Sequence, residues 1–398
     1  MAKGISALKF FASFICCNLH VRFMDKDKTI PMIDLPRLHS KYAAKLDDAI
    51  SEVLDSGSYI GGNALTAFQD RLSTYLNTRL FGVGNGTDAL QIALMALNIG
   101  PGDEVIVPAF TYAASAEVIA LLGATAVWCD VCTETFNLKA SSVELALSSK
   151  TKAIIAVHLY GQLADIEAIE KIAAGIPIVE DTAQAFGAKF KSGKYHGKFA
   201  GSVGVFGTFS FFPTKPLGAL GDGGGIACND QVLYNKALSI ARHGQKEKYV
   251  HDIVGVNSRL DTIQAAILNV KLDYFERDLI RKAEIKELYC SGLKNLESIS
   301  LPIECDFSTH VWHQFTIKVY ENNRDKLRTY LENKGVSSMV YYPIILPDQR
   351  AYDSMIERTS LSNSRALSAQ VLSLPIDPSM SNNDVQFICK SINEYFAK

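Results

Sequence analysis

Apolar, strand-like segments alternate with helix-like segments between residues 80 and 181, and this alternation limits the possible folds more than any other feature of the sequence. The strand-like segments are uniformly apolar. The segments between them carry apolar residues at helical spacing, as at Leu90, Ala93, Leu94 and Leu97. Uniformly apolar strands separated by helices are typical of a parallel sheet covered on both faces. We therefore expect an α/β fold built on a mostly parallel sheet.

The predicted elements can be written in chain order. The strands are RLFGVG, DEVIVP, TAVWCDV, KAIIAVHLYG and IPIVED, and the helices between them are TDALQIALMALNIG, TYAASAEVIALLG, SSVELALS and LADIEAIEKIAAG. Beyond residue 200, GVFGTFSFF and GGIACN predict two further strands, and one long helix is predicted from Ser258 to Leu293. The C-terminal segments HQFTIKVY, RDKLRTYLENKG and SSMVYYP, with a final helix, predict a smaller α+β unit. We expect a large domain at 24–275 and a small domain at 276–398.

The first 23 residues differ from the rest of the chain. Two lysines precede the short apolar run FFASFICC, which is too short to span a bilayer. A secretion signal is the less favoured interpretation, because no small-x-small cleavage site follows the run cleanly. Met24 begins a polar stretch typical of a cytoplasmic start. We expect residues 1–23 to be an extension outside the fold of a cytoplasmic protein.

Composition excludes several functional classes. The 398 residues carry a net charge of -2, which argues against a broad surface for nucleic acid or anionic membrane. The eight cysteines are scattered, as reduced thiols are, and do not form a disulfide framework. Cys129 and Cys132 have metal-site spacing, but no second pair or spaced histidine pair accompanies them. We therefore expect no metal site.

Lys215 lies between an aromatic run and a glycine-rich run in SFFPTKPLGALGDGGGIA, with no acidic residue within six positions. Many lysines lie on loops with the ammonium group in water and the stem on apolar surface. A desolvated lysine, in contrast, loses its proton more readily and becomes an amine nucleophile that forms Schiff bases. The ends of the predicted strands bear on the choice between these two interpretations.

One strand end has the pattern of an anion site. In VGNGTDAL, Gly84 and Gly86 allow the backbone to approach a ligand, and Thr87 lies near the start of a helix. Free N–H groups and the positive end of the helix dipole suit a phosphate there. A plain turn with a threonine cap is the alternative. The stretch lacks the G-x-G-x-x-G pattern, and the chain has no G-x-x-x-x-G-K-[ST] motif.

Two other strand ends supply an acid and an aromatic residue. Glu180 and Asp181 end a buried strand, and an N-cap role is the ordinary interpretation of such an acid. Considered together with Lys215 and the anion site, Asp181 suits the role of the carboxylate that pairs with a protonated pyridine nitrogen, as in pyridoxal-phosphate chemistry. Tyr112 follows another strand and can stack on a flat ring, although an aromatic there is more often core.

From about residue 33 to the C-terminus, the chain resembles the DegT/DnrJ/EryC1/StrS family of sugar aminotransferases. Six motifs match in order and spacing: NGTDALQIALMALNIGPGDEVIVPAFTYAASAEVIALLGA, VHLYGQ, VEDTAQAFGA, SFFPTKPLGALGDGG, RHGQ and GVNSRLDTIQAAIL. The resemblance implies a fold-type-I pyridoxal-phosphate transferase. Within the family, the chain is most similar to enzymes that aminate a UDP-linked 3-keto sugar in surface-polysaccharide pathways, such as the UDP-2-acetamido-2-deoxy-3-oxo-glucuronate aminotransferases.

The resemblance also implies residue roles. Lys215 forms the Schiff base with pyridoxal 5'-phosphate and carries the proton, and Asp181 keeps the pyridine nitrogen protonated. Gln184 binds the ring hydroxyl and Tyr112 stacks on the ring. The residues implied to hold the phosphate are Gly86, Thr87, Asp88 and Ser210, with Asn257 acting across a homodimer interface.

The expected reaction moves the amino group of glutamate to a nucleotide-linked keto sugar. The candidate substrate contacts are Arg259, His310, His313, Tyr341 and Tyr342. Tyr341 stands where many relatives have histidine, so the sugar stays open: a dTDP- or GDP-linked 4-keto sugar is an alternative to the UDP-linked 3-keto sugar. A sugar dehydratase is disfavoured because the lysine is present. A cofactor-binding regulator is disfavoured because no basic DNA-binding module is attached.

Overall fold

The computed structural model describes residues 29–173 and 175–397, so the predicted extension at 1–23 lies outside the described residues. Its helices are α1 Leu35–Ser40, α2 Ala43–Ser56, α3 Asn63–Leu76, α4 Gly86–Ala96, α5 Ala114–Leu121, α6 Ala140–Ala146, α7 Ile166–Ala173, α8 Gln231–Ala241, α9 Thr262–Leu272, α10 Phe275–Leu293, α11 Arg324–Asn333, α12 Ser362–Gln370 and α13 Asn382–Phe396. Short 3-10 turns lie at Leu159–Gly161, Leu346–Asp348 and Arg350–Tyr352.

The strands form a large sheet, a small sheet and a hairpin. They are β1 Leu80–Val83, β2 Glu104–Pro108, β3 Thr125–Cys129, β4 Thr151–Val157, β5 Ile178–Asp181, β6 Phe206–Ser210, β7 Gly224–Ala227, β8 Gln245–Glu247, β9 Val250–His251, β10 Ile299–Ser300, β11 Phe315–Val319, β12 Ile356–Glu357 and β13 Val371–Leu374. The large sheet has the order β1-β7-β6-β5-β4-β2-β3-β12. Strand β7 runs antiparallel to β1 and β6, and the other pairings in this sheet are parallel. The predicted mostly parallel α/β sheet is confirmed.

Both faces of the large sheet are buried. Along β2, Val105 and Val107 belong to one apolar cluster and Ile106 to another, because side chains alternate between the faces of a strand. Helices α4 and α5 supply the first cluster, and α6 and α7 supply the second. This arrangement explains why the strands read as continuous apolar runs.

The predicted single helix from Ser258 to Leu293 is wrong. The chain forms α9 and α10, separated at Asp273 and Tyr274. Phe275, the first residue of α10, packs beside the ring of Phe186, with ring centroids 5.0 Å apart. A Cβ on Gly187 would lie 2.7 Å from the Phe275 ring, so the ring occupies space that only a glycine leaves free. At the break, Tyr274 has φ -107° and ψ -6°, and buried Phe275 begins α10 against this core.

A small antiparallel sheet, in the order β10-β11-β13, packs with α10, α11 and α13. Its core includes Tyr289, whose hydroxyl donates to the carbonyl oxygen of Pro375 at 2.8 Å. Strand β12 lies in the predicted small domain, yet it extends the large sheet by pairing with β3. The boundary between 275 and 276 stays a prediction.

Among the helices within residues 29–173 and 175–397, none is both long enough and apolar enough to span a membrane.

Candidate active site

Strands β5 and β6 bring Asp181 and Lys215 together at the carboxyl edge of the large sheet. Asp181 is the last residue of β5 and pairs in register with Thr208 of β6. Strand β6 ends at Ser210, and the chain then turns through the loop that carries Lys215. The carboxylate of Asp181 acts electrostatically on the Lys215 ammonium. Ligands of open α/β sheets bind at this edge.

The amine of Lys215 is partly shielded from water and lies near Asp181 without forming an ion pair with it. Its side chain is half-buried, and Nζ makes no hydrogen bond or ion pair with any residue that the structure describes. Burial lowers the pKa of the Lys215 ammonium, although the Asp181 carboxylate opposes that shift. The loop is tight, since a Cβ on Gly218 would lie 2.4 Å from the carbonyl oxygen of Pro213. The structure therefore favours a lysine that reaches its neutral, nucleophilic form more easily than an exposed one.

Asp181 is buried and held by two hydrogen bonds. The hydroxyl of Ser115 donates to Oδ2 at 2.8 Å, and the N–H of Ala183 donates to Oδ1 at 3.2 Å. Ser115 is itself fully buried at the start of α5. Each carboxylate oxygen has a further lone pair. The carboxylate is thus fixed in orientation and can still accept a hydrogen bond from a positively charged nitrogen.

The start of α4 offers free N–H groups. Asn85 caps the helix by accepting the N–H of Asp88 at 2.8 Å. Gly86 and Thr87 are the first helical residues, and N–H groups at such positions have no acceptor within the helix. A Cβ on Gly86 would lie 2.7 Å from Cβ of Ser210, so the helix start and the end of β6 are in close contact. This arrangement suits a phosphate.

The segment containing Asn257 and Arg259 is attached to the same helix start. Between these two residues, buried Ser258 donates to Oδ2 of Asp88 at 2.6 Å and accepts the N–H of Gly84 at 2.9 Å. The side chains of Asn257 and Arg259 are exposed. The structure thus places Asn257 and Arg259 beside the anion site, on the surface of this single chain.

Gln184 and two tyrosines form one side of the site. Oε1 of Gln184 accepts the N–H of Tyr160 at 2.7 Å, and its Nε2 donates to the hydroxyl of Tyr342 at 3.2 Å. The ring of Tyr112 lies 6.1 Å from that of Tyr342 and is 59% exposed. Burial, with the charge of Asp181 adding to it, raises the pKa of Tyr342. Tyr112 therefore presents a free ring face next to these polar groups.

Tyr341 is held through its main chain. The hydroxyl of buried Tyr160 donates to the carbonyl oxygen of Tyr341. The side chain of Tyr341 is half-buried. Position 341 therefore borders the site, and no hydrogen bond of its side chain fixes it there among the described residues.

The two predicted substrate contacts His310 and His313 differ in whether their ring nitrogens have a hydrogen-bonding partner. The ring of His310 stacks on Trp312, with centroids 3.8 Å apart, and its Nδ1 accepts the N–H of Trp312 at 2.9 Å. Burial, with the ammonium groups of Lys286 and Lys282, lowers the pKa of His310 to about 3. His313 is buried and its Nδ1 has no partner among the described residues. Burial and the charge of Lys215 lower its pKa, so His313 is neutral and near the lysine.

Taken together, these residues fit pyridoxal phosphate. They supply an amine of lowered pKa, an oriented buried carboxylate, free N–H groups for a phosphate, and an exposed aromatic face. Sequence reasoning missed Ser115, Ser258 and Tyr160, which orient the predicted residues. The only sequence feature that pointed to Ser258 is its position between two predicted site residues, Asn257 and Arg259.

A family model described as the DegT/DnrJ/EryC1/StrS aminotransferase family matches residues 41–393. A UDP-2-acetamido-2-deoxy-3-oxo-D-glucuronate aminotransferase of Pseudomonas aeruginosa is 42% identical, over 91% of this chain and 99% of that protein. A pleiotropic regulatory protein of Geobacillus stearothermophilus is 40% identical, over 92% and 98% of the two chains. A dTDP-3-amino-3,6-dideoxy-alpha-D-galactopyranose transaminase of Aneurinibacillus thermoaerophilus is 40% identical, over 92% and 99%.

The fold has a solved counterpart at high similarity. The crystal structure of DesV from S. venezuelae in complex with a ketimine intermediate superposes with a TM-score of 0.88 at 36% identity. The match covers 93% of this chain and 99% of that chain.

Proposed function

Since the chain belongs to the DegT/DnrJ/EryC1/StrS aminotransferase family and is a pyridoxal-phosphate-dependent nucleotide-sugar aminotransferase, we propose that it moves the amino group of glutamate to a UDP-linked 3-keto sugar. The observation that carries the proposal is Lys215, an amine of lowered pKa beside the fixed carboxylate of Asp181. The name of the Pseudomonas relative supports the UDP-linked acceptor. Transaminase relatives with dTDP-linked substrates are the reason that the acceptor needs a test.

Each site residue has a proposed task. Bound pyridoxal phosphate supplies a carbonyl that takes up the amino group and a ring that withdraws electrons. Nζ of Lys215 removes the proton from the carbon that bears the amino group and returns a proton when the exchange is reversed. Asp181 holds a proton on the ring nitrogen, and its own orientation comes from Ser115. The N–H groups of Gly86 and Thr87, with Ser210, hold the phosphate.

The substrate is proposed to lie against the exposed side of this arrangement. Tyr112 is proposed to stack on the cofactor ring, Tyr342 to provide aromatic surface for the substrate, and Tyr341 to border that surface. Neutral His313 offers an imidazole nitrogen near Lys215. Arg259 supplies a positive charge for the anionic groups of a nucleotide sugar. His310 is also a proposed contact, although its ring is engaged by Trp312. A cytoplasmic location and a role in surface-polysaccharide biosynthesis are further proposals.

The first test is the absorbance spectrum of the purified protein with pyridoxal phosphate, before and after addition of glutamate. We expect a visible band that glutamate removes and that a UDP-linked 3-keto sugar restores. A band that glutamate leaves unchanged, but another amino acid removes, would contradict the proposed donor. Restoration by a dTDP-linked 4-keto sugar alone would contradict the proposed acceptor. A band that no amino donor changes would favour a sensor over an enzyme.

The second test concerns the proposed homodimer, in which Asn257 reaches the phosphate in the partner's site. Its exposure, one residue from the anchored Ser258, supports this role. Mixing Lys215→Ala subunits with Asn257→Ala subunits gives hybrids in which one site has both residues intact. With random exchange, about a quarter of the parent activity should return if Asn257 acts across the interface. No recovery in subunits shown to exchange would contradict the shared site.

A further inference from the structure

Glu180 is a buried carboxylate directly before Asp181, and the chemistry proposed above does not use it. Successive side chains of a strand point to opposite faces, so Glu180 points away from the face that Asp181 occupies. Glu180 and His158 are both 0% exposed. Buried carboxylates are costly unless they are fully hydrogen-bonded. Hydrogen bonds from the surrounding residues stabilise the negative charge of Glu180, and the carboxylate in turn holds those residues in place.

His158 donates one of the hydrogen bonds that the Glu180 carboxylate accepts. Nδ1 of His158 accepts the N–H of Ala164 at 3.0 Å, so the ring proton of the neutral imidazole lies on Nε2. Nε2 therefore donates to Oε2 of Glu180, at 2.9 Å. Burial alone raises the pKa of Glu180, but the bonds from His158 and from backbone N–H groups lower it more. Glu180 is thus held as a carboxylate that accepts the Nε2–H of His158, whose Nδ1 accepts from Ala164.

Three backbone N–H groups complete the arrangement. Oε2 accepts from Gly201 at 3.0 Å, and Oε1 accepts from Val203 at 2.8 Å and Gly204 at 2.7 Å. These residues form the turn that enters β6. A Cβ on Gly204 would lie 2.5 Å from the carbonyl oxygen of Ile178, so the turn sits directly on β5. Glu180 therefore binds the turn to the strand.

Hydrogen bonds of His158, Glu180 and Asp181 also connect the strands that position the proposed site residues. The backbone N–H of His158, just after β4, donates to the carbonyl oxygen of Asp181 at 3.0 Å. The hydroxyl of Thr208 in β6 donates to the carbonyl oxygen of Glu180 at 3.0 Å. Strand β6 leads to Ser210 and then to Lys215. The ends of β4, β5 and β6 are thus held together next to the proposed cofactor site.

We infer that Glu180 and His158 are a positioning pair that sets the place of Asp181 relative to Lys215. The inference rests on the roles proposed for those two residues. Sub-ångström placement matters because groups at a reacting centre lose effectiveness steeply when displaced. Because Glu180 points to the face of β5 opposite Asp181, we assign the pair no direct contact with substrate or cofactor, and it acts through the backbone to which Asp181 and Lys215 belong.

The test is Glu180→Gln, measured through cofactor binding. Glutamine keeps the shape but places an NH₂ group where the carboxylate accepted hydrogen bonds, so two donors face each other. We expect the dissociation constant of pyridoxal phosphate to rise about tenfold or more. We also expect the pH midpoint of the visible band of the cofactor-loaded protein to shift.

Glu104→Gln is the matched control. Glu104 is a buried carboxylate at the opposite, amino end of the same sheet, where it pairs with Arg358 at 2.6 Å. This variant should lower the thermal midpoint but leave the cofactor dissociation constant and the pH midpoint unchanged. If Glu180→Gln lowers the thermal midpoint as Glu104→Gln does, with both cofactor readouts unchanged, Glu180 is merely structural and the inference is overturned.

Two histidine variants keep the test decisive if Glu180→Gln does not fold. The side-chain amide of His158→Gln reaches the position of Nε2, so it can still donate to Glu180. That of His158→Asn reaches only the position of Nδ1, so it leaves Glu180 without this donor. We expect weakened cofactor binding in His158→Asn and binding near the parent level in His158→Gln. Equal binding in both contradicts the inference.

These outcomes are separable from failure of the proposed function. A parent protein that forms no visible band with pyridoxal phosphate refutes the proposed roles of Asp181 and Lys215. A parent protein with a normal band and a Glu180→Gln variant with the same affinity and pH midpoint refutes only the positioning pair.

Discussion

Replacement of Lys215 by alanine is expected to abolish transamination and to remove the visible band of the protein with pyridoxal phosphate. The variant loses the amine of lowered pKa that stands beside Asp181. Loss of both the nucleophile and the proton carrier should reduce the rate by about 10⁴-fold or more. The measurements are the absorbance spectrum and the rate of the half-reaction with glutamate.

Lys215→Arg is the matched control for charge. Arginine keeps a cation at the site but stays protonated at all accessible pH values, so it cannot act as an amine nucleophile. We expect this variant to be as inactive as Lys215→Ala. Transamination by Lys215→Arg at a rate near that of the parent would show that positive charge, and not a reactive amine, is what the site requires.

Asp181→Asn is expected to slow transamination by about 100-fold or more while the visible band persists, because Lys215 remains. The asparagine side chain accepts a hydrogen bond from Ser115 but lacks the negative charge that stabilises a protonated ring nitrogen. A further effect has a definite sign. The Asp181 carboxylate raises the pKa of Lys215, so its removal lowers that pKa further. In the cofactor-free variant, Lys215 should therefore react with an amine-specific reagent at lower pH than in the parent.

Ser115→Ala gives the comparison for this prediction. It removes the 2.8 Å hydrogen bond to Oδ2 and keeps the carboxylate, so it should impair the reaction less than Asp181→Asn. An Asp181→Asn variant with the parent rate, or a lysine whose reactivity has the same pH profile as before, would contradict the assigned role of Asp181. The pH profile of Lys215 reactivity is measured by mass spectrometry of the peptide that carries the modified lysine.

The sequence allowed prediction of the residues that sit at strand ends. Uniform apolar runs located the strands, and the acid, glycine and lysine that follow them were therefore placed at one edge of a parallel sheet. Asp181 was located this way, whereas Lys215 was singled out by its loop, which has no acidic residue within six positions. The parallel pairing of β4, β5 and β6 confirms that topology.

What could not be predicted depends on contacts between distant parts of the chain. At the start of α10, Phe275 packs beside Phe186, which lies far away in sequence. Ser115 orients Asp181 across 66 positions, and Tyr160 reaches Tyr341 across 181. Helical spacing and propensity carry no information on such pairs, so a continuous helix was predicted and the orienting residues were missed.

The hydrogen bond between Tyr160 and Tyr341 has a consequence for how the enzyme can evolve. Because the hydroxyl of Tyr160 donates to a main-chain carbonyl, this hydrogen bond does not depend on which side chain stands at position 341. Lys215 belongs to a different loop and takes no part in this hydrogen bond. On the proposed role of Tyr341 as a substrate contact, we expect substitutions at this position to change sugar preference while Lys215 and Asp181 stay in place, so directed evolution of the acceptor can begin there.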